Sequence, residues 1–137
     1  MRGLLDTSIV IAGPRPPEVD EACISAMTLA ELHFGVLHAA DGATRAARLQ
    51  RLALVESAFE PLPIDDDVAR AYGTIVAGAR AAGRRPRTAD ALIAATAAAH
   101  GLPVYTRDRD FEGLPGVRAV IVGGERRQAP IDSERDR

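Results

Sequence analysis

Short apolar runs alternate with longer segments of helical periodicity over the first 122 residues. The run at 3–12 begins apolar and is interrupted by Asp6 and a polar Thr-Ser pair, which predicts a buried strand that ends in a loop. The runs at 103–106 and 117–122 predict two further short strands. Asp6 and the segment after residue 106 therefore lie at the carboxyl ends of predicted strands.

Helical segments are predicted between these strands. Prolines disrupt the chain after the first strand, and a short helical piece within 18–21 is expected before the brief apolar segment 22–27. Apolar residues then recur at helical spacing in four longer segments. The four longer helices are predicted at residues 28–37, 44–57, 65–82 and 89–100.

Polar residues mark where these helices begin. Thr28 and Glu31 fit a capping box, which places Glu31 in the first turn of its helix. Asp65 opens the third helix, Thr88 caps the fourth, and Gly101 ends it. Asp90 then also falls in a first turn.

Alternation of buried strands with helices indicates an α/β protein. We expect a central parallel sheet covered by helices on both faces, which is a three-layer α/β/α arrangement. A chain of 137 residues fits one such domain, predicted at 1–122. Residues 123–137 are polar and are predicted to form a flexible C-terminal tail.

Composition narrows the possible functions. The formal net charge of -2 argues against a broad cationic coat, although all 17 basic residues are arginine and several cluster. Because the chain has no lysine, it has neither a P-loop nor the lysine that assists aspartyl-phosphate chemistry. One cysteine excludes a disulfide framework. No run has the length of a membrane span or the pattern of a signal peptide, so a cytoplasmic protein is expected.

Four carboxylates are predicted to meet at one edge of the sheet. Ligands of open parallel sheets bind outside the carboxyl ends of the strands, where helix starts also converge. Asp6 and Asp108 follow predicted strands, whereas Glu31 and Asp90 lie in predicted first helical turns. Taken singly, Glu31 also fits a simple capping partner, Asp90 a helix-dipole residue and Asp108 an ordinary turn residue.

Asp6 is the member of the cluster whose predicted position most clearly indicates a bound cation. An acid inserted near the central strand loses water and needs compensation, which a cation supplies. Carboxylates brought together repel one another unless a divalent ion such as Mg²⁺ or Mn²⁺ keeps them ionised. The sequence therefore predicts a site for a divalent cation.

Four motifs in order resemble a known family. LLDTSIV, MTLAELHFG, TADALIAATA and VYTRDRDF resemble the PIN-domain ribonucleases, specifically the VapC-like toxins of bacterial toxin–antitoxin pairs. The resemblance extends from the start of the chain to about residue 122 and implies a PIN-like fold. It implies that the catalytic and metal-binding acids are Asp6, Glu31 and Asp90, with Asp108 as the fourth. Asp110, two residues later, is an alternative to Asp108.

The resemblance also implies supporting hydroxyl groups, and basic residues are expected around the acids because an acidic pocket repels phosphate until it binds metal. Hydroxyls at Thr7, Ser8 and Thr106 are predicted to orient carboxylates, although capping a strand or turn explains them equally well. Arginines at the rim are predicted to bind RNA phosphates, with surface ion pairs as the alternative. These arginines are Arg84, Arg85, Arg87, Arg107 and Arg109.

The function implied is a metal-dependent endoribonuclease that hydrolyses RNA phosphodiester bonds and acts as the toxin of a toxin–antitoxin pair. Mg²⁺ or Mn²⁺ is the implied cofactor, since a dication activates water and neutralises phosphate charge. The resemblance also implies a homodimer and a small cognate antitoxin that docks across the groove at the active site. The helix at 29–37 offers apolar surface for these contacts. The alternative is a catalytically degenerate PIN-like module that binds RNA or an antitoxin.

Overall fold

A computed structural model describes residues 1–123 of the chain. A 3₁₀ turn at Arg109–Phe111 joins the last two strands. Within the described residues, four β-strands and five α-helices follow one another in the order β1 (Arg2–Leu5), α1 (Thr7–Ala12), β2 (Glu21–Cys23), α2 (Ala26–His38), α3 (Gly42–Ala58), α4 (Asp66–Ala81), α5 (Thr88–Ala99), β3 (Val104–Thr106) and β4 (Ala119–Ile121).

The four strands form one parallel sheet with the order β2-β1-β3-β4. In the central strand β1, Leu4 pairs with Cys23 on one side and with Val104 on the other. The amide of Asp6 continues this pairing by donating to the carbonyl of Tyr105 at 2.9 Å. Asp6 therefore lies at the carboxyl edge of the sheet, between the ends of two parallel strands, as predicted.

Successive residues of β1 point into separate cores on the two faces of the sheet. Leu4 belongs to a buried cluster with Val68 of α4 and Ile93 of α5. Leu5 belongs to a second cluster with Leu32 of α2 and Leu52 of α3. Because side chains alternate along a strand, one short strand anchors both layers. The predicted three-layer α/β/α arrangement is confirmed.

The chain between β1 and β2 differs from the prediction. Asp6 has extended backbone angles, and its carbonyl accepts from the amides of Ile9 and Val10, so that α1 begins where a loop was expected. Ile9 is buried and anchors this short helix to the core. The expected helix within 18–21 is also wrong, since Glu21 begins β2 and pairs with Arg2.

Two predicted caps are wrong by a few residues. Ser25, rather than Thr28, caps α2 by accepting from the amide of Met27 at 3.0 Å. Thr28 is fully buried inside the helix, and Glu31 lies in its second turn instead of completing a capping box. At α5, Arg87 occupies the cap position and Thr88 is already helical, with no side-chain cap bond.

Other predicted elements agree with the structure. Helices α3 and α4 and strands β3 and β4 lie within about three residues of their predicted positions. Asp65 caps α4 by accepting from the amide of Val68 at 3.1 Å. Among residues 1–123, no helix is both long and apolar enough to span a bilayer. The predicted tail, apart from Gly123, lies outside the described residues.

Candidate active site

Asp6 is held by two hydroxyl groups at the end of β1. Ser8 and Thr106 each donate to its Oδ2 at 2.8 Å, and the residue is only 5% exposed. Within residues 1–123, Oδ1 accepts no hydrogen bond. One oxygen of this buried carboxylate is therefore fixed by the protein, while the other remains available for a ligand.

The same hydroxyls tie Asp6 to the segment after β3. Ser8 Oγ accepts from the amide of Arg107 at 3.0 Å, and Thr106 Oγ1 accepts from the amide of Asp108 at 2.9 Å. A hydroxyl both donates and accepts, so each one links Asp6 to the backbone that carries Asp108. Two of the predicted supporting hydroxyls thus contact Asp6.

Glu31 faces the site from the second turn of α2. Its Oε1 accepts from the hydroxyl of Thr7 at 2.6 Å, and its Oε2 accepts from Nη2 of Arg87 at 3.2 Å. Thr7 Oγ1 also lies 3.0 Å from Oγ1 of the buried Thr28. Thr7 therefore orients Glu31, and Thr28 supports Thr7. No pattern in the sequence indicated this role of Thr28, which was assigned incorrectly as a cap.

Asp90 is the most poorly satisfied acid of the group. Its side chain is 10% exposed, and its one ionic contact among the described residues is to Nη1 of Arg87 at 3.8 Å. The pKa of Asp90 rises from 3.8 to about 6, chiefly through burial. Arg87 opposes this rise in the pKa. Three neighbouring carboxylates add to it: Asp6, Asp108 and Glu31.

Asp108 approaches from the loop after β3. Its Oδ1 accepts from the amide of Asp110 at 2.8 Å, which caps the 3₁₀ turn. The charge of Asp108 raises the pKa of Asp90, so these two acids are electrostatic neighbours. Asp110 is exposed and lines a cavity of about 240 Å³ together with Asp90. Both acids are therefore neighbours of Asp90, Asp108 through its charge and Asp110 through the wall of the cavity.

The predicted acids are brought to one edge of the sheet but do not form a closed cage. In the part of the chain that the structure describes, no three Asp, Glu, His or Cys side chains converge as a ready-made metal site. The donors are nevertheless all carboxylate oxygens, the ligand type of Mg²⁺ and Mn²⁺. Among residues 1–123, Asp90 is buried without a hydrogen-bond donor, and Asp6 has one oxygen without a protein partner. The residues therefore fit a hard divalent cation.

The five predicted RNA-binding arginines have different roles in the structure. Arg84 donates to the carbonyls of residues 110 and 112, both at 2.7 Å, and Arg107 donates to the carbonyl of Gly13 at 3.0 Å. Arg109 forms an ion pair with Glu112 at 2.9 Å. Arg85 lines the 240 Å³ cavity and has no ion pair or side-chain hydrogen bond among residues 1–123. Arg87 contacts the acids themselves.

A larger groove adjoins Glu31 on the helix that was expected to offer apolar surface to an antitoxin, but the contribution of α3 to this groove was not predicted. It has a volume of about 660 Å³ and lies mainly between α2 and α3, so we call it the α2–α3 groove. Leu32 and Ala47 give it apolar walls, and Arg48 and Arg51 give it positive charge. The three-residue spacing of these arginines on a predicted helix was the available signal, since such residues share one side of a helix.

Comparison with known proteins identifies the family. The chain matches the PIN domain family over residues 4–117. Ribonuclease VapC5 of Mycobacterium tuberculosis is 45% identical over 128 residues, which cover 88% of this chain and 93% of that protein. Ribonuclease VapC4 of the same organism is 38% identical over 128 residues, covering 88% and 97%.

A solved structure agrees with this assignment. The crystal structure of VapBC-5 from Mycobacterium tuberculosis, described as a member of the VapBC family of toxin-antitoxin systems, contains a chain that superposes with a TM-score of 0.81. That chain is 42% identical, and the match covers 88% of this chain and 98% of the other. The chain therefore belongs to the PIN-domain family and, within it, to the VapC group.

Proposed function

We propose that this chain is an endoribonuclease that hydrolyses RNA phosphodiester bonds with Mg²⁺ or Mn²⁺ and acts in the cytoplasm as the toxin of a toxin–antitoxin pair. The observation that carries the proposal is the buried carboxylate of Asp90, which has no hydrogen-bond donor in the described part of the chain and has three other acids as electrostatic neighbours. Such a group is costly unless a cation or another donor compensates it. Similarity to ribonucleases VapC5 and VapC4 supports RNA as the substrate.

Four acids are assigned to the cation. Asp6 and Asp90 are the direct ligands, and Glu31 and Asp108 complete the cluster. A divalent ion bound there supplies an activated water and neutralises charge on the phosphate during hydrolysis. The chain itself supplies orientation, because Ser8 and Thr106 fix one oxygen of Asp6 and Thr7 fixes one oxygen of Glu31.

RNA is assigned to the rim beside Asp90. Phosphate oxygens accept hydrogen bonds from guanidinium groups, often in pairs. Arg85 faces this rim and has no competing contact in residues 1–123, so it is the strongest phosphate contact of the five arginines. Arg107 and Arg109 are near Asp108 but already bind protein groups. With aromatic residues at 4%, base stacking is limited and recognition relies on RNA shape and backbone.

A small antitoxin is assigned to the α2–α3 groove. The groove is apolar along Leu32 and Ala47 and is lined at one point by Glu31, so a segment bound there also covers an acid of the site. The related VapBC-5 structure is of a toxin–antitoxin system, which supports a partner of this type. We also propose that the toxin forms a homodimer, as the family resemblance implies.

A degenerate binding module is the second candidate function. The observation in its favour is that the acids do not converge as a closed cage and that Arg87 contacts two of them. A module of this kind binds RNA or an antitoxin but does not cleave RNA. The two candidates are separated by a cleavage assay.

The assay uses the purified chain without antitoxin and a structured RNA, with Mn²⁺, Mg²⁺ or EDTA. We expect metal-dependent cleavage that falls by at least about a hundredfold in Asp6→Asn and Asp90→Asn. Asp66→Asn makes the same chemical change on the exposed first turn of α4 and is expected to retain activity. RNA binding without cleavage by the wild-type chain would instead identify the degenerate module.

A further inference from the structure

The guanidinium of Arg87 lies against two acids of the candidate site. Its Nη2 is 3.2 Å from Oε2 of Glu31, and its Nη1 is 3.8 Å from Oδ1 of Asp90. The Arg87 side chain is 65% exposed, whereas the side chains of Glu31 and Asp90 are 24% and 10% exposed. The mostly exposed guanidinium therefore places a positive charge beside two carboxylates that are largely buried.

Arg87 is the one cationic side chain in contact with these two acids within residues 1–123. Glu31 has one other partner, the hydroxyl of Thr7, and Asp90 accepts no hydrogen bond from a described residue. The charge of Arg87 also stands at the cap position of α5, only three residues before Asp90. Removing it leaves neighbouring negative charges without compensation.

A guanidinium and a divalent cation compete for the same oxygens. Two positive charges bound to one pair of carboxylates repel each other. Binding of the guanidinium to the acids therefore weakens the binding of a divalent cation, and the reverse also holds. Once a cation compensates the acids, Arg87 can leave at little cost, because its long side chain is already mostly in water and its release buries no charge. Arg84 differs, since both of its terminal nitrogens are bound to backbone carbonyls.

From this geometry we infer that Arg87 is an exchangeable counter-ion, which binds Glu31 and Asp90 in the metal-free protein and is displaced when a divalent cation loads. The inference rests on the proposed metal site and adds a property to it. Arg87 keeps the acids compensated in the absence of metal and lowers the affinity of the site for metal. Its role is one of regulation of loading, so it is distinct from the ligands themselves.

Metal affinity tests this inference directly, without RNA. Mn²⁺ binding to the full-length chain is measured by calorimetry and by electron paramagnetic resonance of free Mn²⁺. Arg87→Gln is expected to bind Mn²⁺ about fivefold more tightly than wild type, since it removes a partly screened competing charge. Arg85→Gln is the matched control, because it removes the same charge from the same turn without touching Glu31 or Asp90, and its Kd is expected to change by less than about twofold.

Thermal unfolding gives a second readout. In EDTA, Arg87→Gln is expected to have a lower Tm than wild type, because the acids lose their counter-ion. At saturating Mn²⁺ the two Tm values are expected to converge, since the ion replaces the guanidinium. A purely structural arginine would leave the same gap in both conditions.

Three results would overturn the inference: unchanged or weaker Mn²⁺ binding by Arg87→Gln, an equal gain in Arg85→Gln, or a Tm gap that persists at saturating Mn²⁺. Failure of the proposed metal site has a different signature. In that case wild type and Asp90→Asn would both fail to bind Mn²⁺, which would remove the metal assignment and the competition with it. Specific Mn²⁺ binding by wild type without a gain in Arg87→Gln would remove the competition alone.

Discussion

The hydroxyl of Thr106 donates to Oδ2 of Asp6 at 2.8 Å, across a separation of 100 residues in the chain. Both residues are buried, and each ends one of two neighbouring parallel strands. The same hydroxyl accepts from the amide of Asp108 at 2.9 Å. One side chain therefore fixes the position of one acid and the backbone of another.

Thr106→Val tests this arrangement. The substitution keeps the shape but removes the hydroxyl, so we expect Mn²⁺ affinity and RNA cleavage to fall about 10- to 100-fold as Asp6 loses its support. Stability is expected to fall by about 1–3 kcal/mol, since the amide of Asp108 loses its acceptor. Thr96→Val is the matched control, because Thr96 is equally buried but bonds to Ser25 and the carbonyl of Leu92. Equal Mn²⁺ affinities in the two variants would contradict a positioning role.

Stability of the metal-free protein is expected to depend on the ionisation of Asp90. Its pKa is about 6 in the folded protein, above the ordinary value of 3.8. A raised folded-state pKa favours folding below 3.8, and this contribution is lost as the pH rises through about 6. In EDTA, Asp90→Asn should therefore gain stability relative to wild type as the pH rises from about 3.8 to about 6, with little further change above that range.

Thermal unfolding across that pH range measures the effect. Asp66→Asn makes the same chemical change at an exposed position of α4 and serves as the control for the substitution itself. A loss of Tm by Asp90→Asn relative to wild type as the pH rises would show the opposite sign of linkage. That result would mean that the carboxylate of Asp90 is stabilised in its charged form by the folded protein.

Arg84 is expected to stabilise the loop that carries Asp108. Its guanidinium links the turn before α5 to the carbonyls of Asp110 and Glu112. Arg84→Ala should lower the free energy of unfolding by about 1–3 kcal/mol, because two hydrogen bonds from a charged donor are lost. Arg85→Ala, one residue later, should change it by less than about 0.5 kcal/mol. Denaturant unfolding of both variants makes the comparison, and equal losses would contradict a specific role for Arg84.

Close packing of β1 predicts a steric effect at Gly3. A Cβ at this position would lie 2.5 Å from Cε1 of Tyr105, a ring that is only 2% exposed. Gly3→Ala is expected to destabilise the protein by about 1–3 kcal/mol. Gly73→Ala, in open space on α4, should instead stabilise it by about 0.5–1 kcal/mol through helix propensity. Urea denaturation checks both, and a neutral Gly3→Ala would show that the Tyr105 ring moves aside freely.

The sequence predicted the layers of this fold better than its boundaries. The run at 103–106 is short, apolar and buried, as the strands of a parallel sheet covered on both faces are, so its strand was predicted correctly. The helix α1 was missed because six residues give little periodicity, and its start depends on the tertiary position of Asp6. The cap of α2 was misplaced because Ser25 and Thr28 are both suitable cap residues, and burial in the core decides between them.

The candidate site could be predicted in its members but not in its contacts. Strand ends and helix starts bring carboxylates to one edge of a parallel sheet, so Asp6 and Asp90 followed from topology. The pairing of Arg87 with two acids could not be predicted from topology, since an arginine beside a turn has many solvated conformations. Similarly, Ser8 and Thr106 were predicted to support carboxylates, but only the folded structure shows that both donate to the same oxygen of Asp6.

The strand order also has a consequence during protein synthesis. Strand β1 is completed within the first few residues, yet its neighbour β3 is made about a hundred residues later. A nascent chain on the ribosome therefore holds Asp6 without Thr106 or Asp108 until most of the polypeptide has emerged. A ribosome that is making this protein therefore carries an incomplete acidic cluster until Asp108 has left the exit tunnel.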